Sequence, residues 1–99
     1  MVRKVIEDDK YYRFYDGNRV GPKIEKEKGG GRVLTHLIEN IGTPISLETI
    51  LEVSKWNTSN KKVNKRIQNF AMQINAWSPY TIEKIGGGRK SSYRLTKEQ

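Results

Sequence analysis

The stretch Ser59–Trp77, SNKKVNKRIQNFAMQINAW, has the pattern of one long amphipathic helix. Its apolar residues recur three or four positions apart and therefore share one helical face: Val63, Ile67, Phe70, Ile74 and Trp77. The opposite face carries cations and amides and not a single carboxylate. Exposed helices usually mix Glu with Lys, because pairs four residues apart stabilise the helix. We therefore expect the apolar face to pack inward and the polar face to contact a polyanion.

The positive charge of the chain is concentrated in its C-terminal part. The 99 residues include 19 Lys/Arg and 11 Asp/Glu, a formal net charge of +8. Residues 1–30 contain 8 basic and 6 acidic residues (+2), residues 31–57 contain 2 and 3 (−1), and residues 58–99 contain 9 and 2 (+7). A basic surface attracts polyanions by steering and by the release of counterions. Nucleic acid is the expected partner.

The composition argues against several other classes of protein. Without cysteine there is no disulfide, thiol nucleophile or cysteine-bound zinc. His36 is the only histidine, and Glu7–Asp9 has the pattern of an exposed acidic turn, so we expect no enzyme, no metal site and no cofactor. No apolar run approaches the ~20 residues of a membrane span. We expect no membrane partner and a cytoplasmic, nucleoid-associated location.

The N-terminal part has the pattern of an antiparallel sheet. Residues 1–24 are predicted to form strands, with a turn at Asp16–Asn18 and an interruption at Gly21-Pro22. Alternation in the aromatic strand predicts that Tyr11, Arg13 and Tyr15 lie on one side and Tyr12 and Phe14 on the other, so that one face can cover a helical core. Residues 25–31 are predicted to be a loop or a frayed helix start, because Gly29–Gly31 each cost a helix about 1 kcal/mol.

Residues 32–78 have the pattern of three helices. The first starts at Arg32 and ends near Gly42, and its predicted apolar side comprises Val33, Leu34, Leu37, Ile38 and Ile41. The second runs from Leu47 to about Lys55 behind the N-cap Ser46, after a short extended link. The third is Ser59–Trp77, which Ser78-Pro79 ends. Residues 80–96 are predicted to form a β-hairpin with a basic, glycine-rich tip.

Four segments resemble the winged helix-turn-helix domain of OmpR- and PhoB-type response regulators. They are the Asp16-Gly17 turn, VLTHLIENIGTPISLETIL at 33–51, KVNKRIQNFAMQI at 62–74 and IEKIGGGRKSSYRL at 82–95. The resemblance implies a single α+β domain over residues 1–99, a winged helix-turn-helix with an N-terminal antiparallel sheet, three helices and a C-terminal β-hairpin wing. The chain also resembles the small stand-alone regulators that phages and mobile elements often encode.

The resemblance implies a transcriptional regulator that binds double-stranded DNA. The third helix would enter the major groove, and the wing would contact the adjacent minor groove or backbone. The candidate DNA-contacting residues are Asn60, Lys61, Lys62, Asn64, Lys65, Gln68, Asn69, Lys84, Arg89, Lys90 and Arg94. Amides can pair with adenine and lysine with guanine. The helix surface departs from the family's Arg-Leu-Arg-Lys-Lys-Leu run, so the family's base preference is not carried over.

Two other functions remain open from the sequence. A winged helix can also be a protein-interaction module, which here would bind and modulate RNA polymerase or another transcription protein through the aromatic N-terminal sheet. Single-stranded nucleic acid could instead stack on that sheet at Tyr11, Arg13 and Tyr15. Whether the protein acts as a monomer or as a dimer on DNA is also left open.

Overall fold

A computed structural model describes residues 2–57, 60–87 and 90–97 of the chain. Ser59 and Arg89 lie outside the described residues, as do the side chains of Asn60 and Lys61. The architecture is α+β, with three helices and two small antiparallel sheets. In chain order the elements are β1 (Arg3–Glu7), β2 (Tyr11–Asp16), β3 (Arg19–Glu25), α1 (Gly29–Glu39), β4 (Ile45–Ser46), α2 (Leu47–Ser54), α3 (Asn60–Trp77), β5 (Tyr80–Ile85) and β6 (Ser92–Lys97).

The N-terminal sheet has the strand order β1-β2-β3 and covers one side of the helices. Tyr12 and Phe14 are buried in the core, and the Tyr12 hydroxyl lies 2.6 Å from the Thr35 hydroxyl on α1. Tyr11, Arg13 and Tyr15 point the other way and are half-buried. The predicted alternation of this strand is therefore confirmed.

The interruption predicted at Gly21-Pro22 is wrong, because β3 continues through both residues to Glu25. The pairing of β2 with β3 shifts between Arg13 and Tyr15, so that a bulge accommodates the extra residue. Proline is tolerated at a bulge on an edge strand because its missing N–H is not needed there. Gly21 also packs so closely against Trp77 that a Cβ atom would lie 2.6 Å from the indole ring.

Residues 25–31 were predicted to be a loop or a frayed helix start, and residues 29–31 form the start of a helix, because α1 begins at Gly29. All three glycines face neighbours that leave no room for a side chain: Trp56, Phe70 and the Glu25 backbone, respectively. Close packing thus outweighs their low helix propensity. At the other end the helix stops at Glu39, so Ile41 lies beyond the apolar face and is 48% exposed rather than buried as predicted.

The second sheet joins the C-terminal hairpin to the link between α1 and α2. Its strand order is β4-β6-β5, with Ile45 opposite Tyr93. The predicted N-cap is confirmed, since the Ser46 hydroxyl accepts a hydrogen bond from the Thr49 N–H at 3.2 Å. This short strand therefore anchors both the start of α2 and the hairpin.

A single core lies between the two sheets and the three helices. Its fully buried members include residues from every layer: Phe14, Leu34, Leu37, Ile50, Val63, Ile67, Ile74, Tyr93 and Leu95. Within the described part of the chain, none of the helices has the length and apolarity needed to cross a membrane.

Candidate nucleic-acid interface

The outer face of α3 is a continuous exposed surface on which polar side chains predominate. Its exposed side chains are Lys62, Lys65, Arg66, Gln68, Asn69, Met72, Gln73 and Ala76. The helix contains no Asp or Glu anywhere from Asn60 to Trp77. The buried Val63, Ile67 and Ile74 lie on the opposite side, as predicted. The face is thus positively charged and backed by a rigid core.

One flank of α3 is supported by aromatic side chains. The Arg66 guanidinium lies 4.5 Å from the centre of the Trp56 ring, just after α2. At the C-terminal end the Arg19 guanidinium lies 4.8 Å from the Trp77 ring. These cation–π contacts each contribute about 0.5–1 kcal/mol at exposed sites and orient Arg66 beside the cationic face.

The other flank of α3 is joined to the hairpin by amide side chains. The Tyr93 hydroxyl of β6 donates a hydrogen bond to the Asn64 side-chain oxygen, and Gln68 also hydrogen-bonds this hydroxyl. Burial raises the pKa of Tyr93 above its usual value of 10.0, while the Gln68 hydrogen bond lowers it in part. Asn64 is half-buried, so it connects the helix to the hairpin rather than projecting outward.

Asn75 makes a second connection between α3 and the hairpin. Its side-chain N–H donates to the Ile82 carbonyl at 3.0 Å, and its side-chain oxygen accepts from the Ile82 N–H at 2.7 Å. The amide therefore satisfies both backbone groups of a residue on the edge strand β5, as a neighbouring strand would. These bonds hold the hairpin against α3 in one orientation.

The hairpin cations are divided between its two faces. Lys84 lies opposite Tyr93 and so belongs to the face that packs towards α3, while remaining exposed. Arg94 lies opposite Glu83 on the other face and forms an ion pair with it. Lys90 is exposed at the tip, and Arg89 falls outside the described residues. Lys84 and Arg94 therefore lie on opposite faces of the hairpin.

Arg66 was not among the predicted contacts, and three uncharged exposed residues of the α3 face were also missed: Met72, Gln73 and Ala76. A feature of the sequence could have indicated them. Residues 67–82 form a run without any Asp, Glu, Lys or Arg in a chain of which 30% is charged. The C-terminal part of α3 lies within this run, so its exposed side chains must be uncharged.

The acidic turn at Glu7–Asp9 has a structural role. The Asp8 carboxylate accepts hydrogen bonds from the N–H groups of Lys10 and Tyr11, both at 2.8 Å. These two bonds, together with the Arg13 side chain, lower the pKa of Asp8 below its usual 3.8. Within residues 2–57, 60–87 and 90–97 no group of three His, Asp or Glu side chains is placed to hold a metal ion.

The N-terminal sheet has an uncovered outer face. Val2 and Val20 are 73% and 75% exposed there, and Tyr15 lies between Lys4 and Val20 across the strands. The Tyr11 ring is already flanked by the side chains of Lys23 and Arg13, at 4.4 and 5.3 Å. The Tyr11 ring therefore already makes two cation–π contacts within the sheet.

Neither a model of a known protein family nor a curated protein matches this chain. Function is therefore inferred from the geometry of α3 and the hairpin.

Proposed function

We propose that this protein binds double-stranded DNA and regulates transcription, with α3 in the major groove and the β5–β6 hairpin as a wing on the adjacent backbone or minor groove. The observation that carries the proposal is the exposed face of α3, which has three described cations and no carboxylate. Phosphate contacts supply most of the affinity of proteins for DNA. In the cell such a protein would act in the cytoplasm, on the nucleoid.

The dimensions of α3 suit this role. Its 18 residues extend about 27 Å at 1.5 Å per residue. An α-helix with its side chains is about 10–12 Å wide, and the major groove of B-DNA is about 12 Å wide. The helix is also supported on both flanks, by Trp56 and by the hairpin. A rigid helix loses little conformational freedom when it binds.

The order of the elements supports the winged-helix assignment. The structure has an N-terminal sheet, two helices, a long basic helix and a hairpin, which is the order that the resemblance implies. The hairpin lies beside α3, and Lys84 belongs to the hairpin face that packs towards this helix. A duplex bound to α3 would therefore meet the wing cations as well. We place DNA contacts first at Lys62, Lys65, Gln68, Asn69, Lys84 and Lys90.

A pair of charge reversals tests this proposal. Lys65→Glu and Lys4→Glu both lower the formal net charge from +8 to +6, since each replaces one positive charge with one negative charge. Lys65 lies on the α3 face, whereas Lys4 lies on the outer face of the N-terminal sheet. We expect Lys65→Glu to weaken duplex binding about tenfold or more and to reduce the salt slope by about 1. Fluorescence anisotropy of a labelled duplex, measured against salt concentration, gives both quantities.

The matched variant decides between a specific face and general charge. Lys4→Glu should bind duplexes within about twofold of the wild type at ~150 mM salt, because long-range effects are screened there. Equal losses from both variants would mean that net charge alone attracts DNA. No duplex binding by the wild type at about 50 mM salt would remove the proposal altogether.

A protein-interaction module is the second candidate, and the exposure of Val2 and Val20 favours it. The outer face of the N-terminal sheet would then bind RNA polymerase or another transcription protein. Titration of purified RNA polymerase with the wild type and with Val20→Asp tests this function. If the protein is an interaction module, binding should be saturable, Val20→Asp should abolish it and Lys65→Glu should leave it intact.

A further inference from the structure

We propose that the C-terminal half of the α3 face reads A·T base pairs, with Met72 contacting the 5-methyl group of thymine. This inference rests on the proposed function and specifies the DNA that the site prefers. The α3 face is divided along the helix into two chemically different halves. Lys62, Lys65 and Arg66 occupy the first half, and Gln68, Asn69, Met72, Gln73 and Ala76 occupy the second.

The two halves form one continuous surface. At about 100° per residue, Asn69, Met72 and Ala76 all fall within about 40° of Lys65 around the helix axis. A duplex that contacts Lys65 through its phosphates would therefore also face Met72. Residues 68–76 extend about 12 Å along the axis, which corresponds to roughly three or four base pairs at 3.4 Å each.

The uncharged half carries groups that match A·T pairs. In the major groove, Asn and Gln bind adenine through two hydrogen bonds, and apolar groups contact the thymine methyl. Guanine is read mainly by Arg or Lys, and cytosine by Glu or Asp. Residues 67–77 of α3 contain none of these four residue types. This half of the face thus has partners for adenine and thymine and lacks those typical of guanine and cytosine.

Met72 is the large apolar side chain that α3 exposes to solvent. Its side chain is 70% exposed, on a helix whose other large apolar residues are buried or half-buried. Ala76 follows one turn later and is also exposed. Two methyl-bearing side chains, Met72 and Ala76, therefore lie next to the exposed amides Asn69 and Gln73. RNA lacks the thymine methyl, and its major groove is too deep and narrow for side chains to read. The preferred ligand is therefore duplex DNA.

A protein partner is the competing occupant, because interface centres are poor in charged residues and rich in Met. The continuity of Met72 with Lys65 favours DNA, since the cations next to it match a phosphate backbone. Disruption of DNA binding by a change at Met72 is expected only if DNA occupies this half.

The experiment begins with selection of duplexes from a random pool by the wild-type protein. We expect the selected sites to share at least three consecutive A·T pairs. In the best site each thymine is then replaced by deoxyuridine, which removes only the methyl group. Wild-type affinity should fall about fourfold for each contacted methyl, the effect of burying one methyl-sized group.

Variants of Met72 separate direct contact from changes in DNA shape. Met72→Ala should lose the difference between thymine and deoxyuridine, whereas Met72→Leu should keep it because leucine retains an apolar contact. Val20→Ala is the matched control, since Val20 is 75% exposed but lies on the N-terminal sheet. It should behave like the wild type.

Each outcome supports or overturns the inference. G·C-rich selected sites, a wild type that ignores deoxyuridine, or a Met72→Ala variant that stays as sensitive as the wild type would each overturn it. If duplex binding persists and depends on Lys65, such a result removes only the A·T preference. If the wild type binds no duplex at all, both this inference and the proposed function fail.

Discussion

At the scale of single residues, the absence of a side chain at Gly31 allows α1 to pack against the end of β3. A Cβ atom at Gly31 would lie 1.9 Å from the Glu25 carbonyl oxygen and 2.6 Å from the Lys26 Cα. Both are backbone atoms and cannot move without shifting β3 relative to α1. The Lys28 N–H also donates to the Glu25 carbonyl at 3.2 Å, which holds the turn closed. This glycine therefore sets the junction between sheet and helix.

The substitution Gly31→Ala should lower the free energy of unfolding by about 2 kcal/mol or more. The cost of overpacking against the backbone exceeds the roughly 1 kcal/mol that alanine gains in helix propensity. Gly87→Ala is the control, because a Cβ there has no atom within 4 Å. Urea unfolding of both variants, followed by circular dichroism, measures the difference. If Gly31→Ala proved as stable as Gly87→Ala, the close approach at Glu25 would be incorrect.

At the scale of elements, α3 is the helix that organises the molecule. Its inner face forms the core, one flank packs against Trp56 and the other flank holds the hairpin through Asn64 and Asn75. Only the remaining face is exposed to solvent. Arg3 of β1 also donates to the Asn75 carbonyl at 2.9 Å, so the N-terminal sheet contacts the same helix. The exposed face therefore has a fixed position relative to the hairpin.

The substitution Asn75→Ala should loosen the hairpin from α3 and lower the free energy of unfolding by about 1–3 kcal/mol. The reason is that both the N–H and the carbonyl of Ile82 lose their side-chain partner. Gln73→Ala, an exposed change two residues away, should alter stability by less than about 0.5 kcal/mol. Hydrogen exchange at the Ile82 amide provides a local measurement. Unchanged protection of that amide in Asn75→Ala would contradict the role of Asn75 in holding the hairpin against α3.

At the scale of the whole molecule, tyrosines connect both sheets to the common core. Tyr12 of the N-terminal sheet and Tyr93 of the C-terminal sheet are almost fully buried, and Tyr80 is half-buried. Burial raises the pKa of all three phenols above the usual 10.0, and for Tyr12 the hydrogen bond to Thr35 offsets part of the effect. The folded state therefore favours the neutral phenols.

We expect the free energy of unfolding to fall as the pH rises above about 10. The unfolded tyrosines release their protons near pH 10, before the folded ones do, so their contribution to stability is present below pH 10 and is lost through the raised pKa values. Each phenol contributes at most about 1.4 kcal/mol per pH unit to the slope of the free energy of unfolding against pH. Tyr93→Phe should make the fall less steep, as measured by urea unfolding between pH 8 and 11. An identical slope in this variant would show that Tyr93 does not contribute.

Much of the candidate site could be predicted from the sequence, because it depends on local spacing. The three- and four-residue recurrence from Val63 to Trp77 predicted which side of α3 is buried, and Ser46 predicted the start of α2. The absence of carboxylates on the exposed face of α3 can likewise be read directly from the amino-acid sequence. Helical periodicity and caps act over a few residues, and they can therefore be recognised without knowing the fold.

Contacts between distant segments were decided only by the tertiary structure. Gly21-Pro22 continues a strand because a bulge and Trp77 accommodate it, and Gly29 begins a helix because Trp56 lies against it. The partners of Asn64, Asn75 and Arg94 are likewise fixed by how the hairpin pairs and packs. The sequence alone determined the chemistry of the α3 face. Which of its amides face solvent and which hold the hairpin depends on residues that are far apart in the chain and adjacent only after folding.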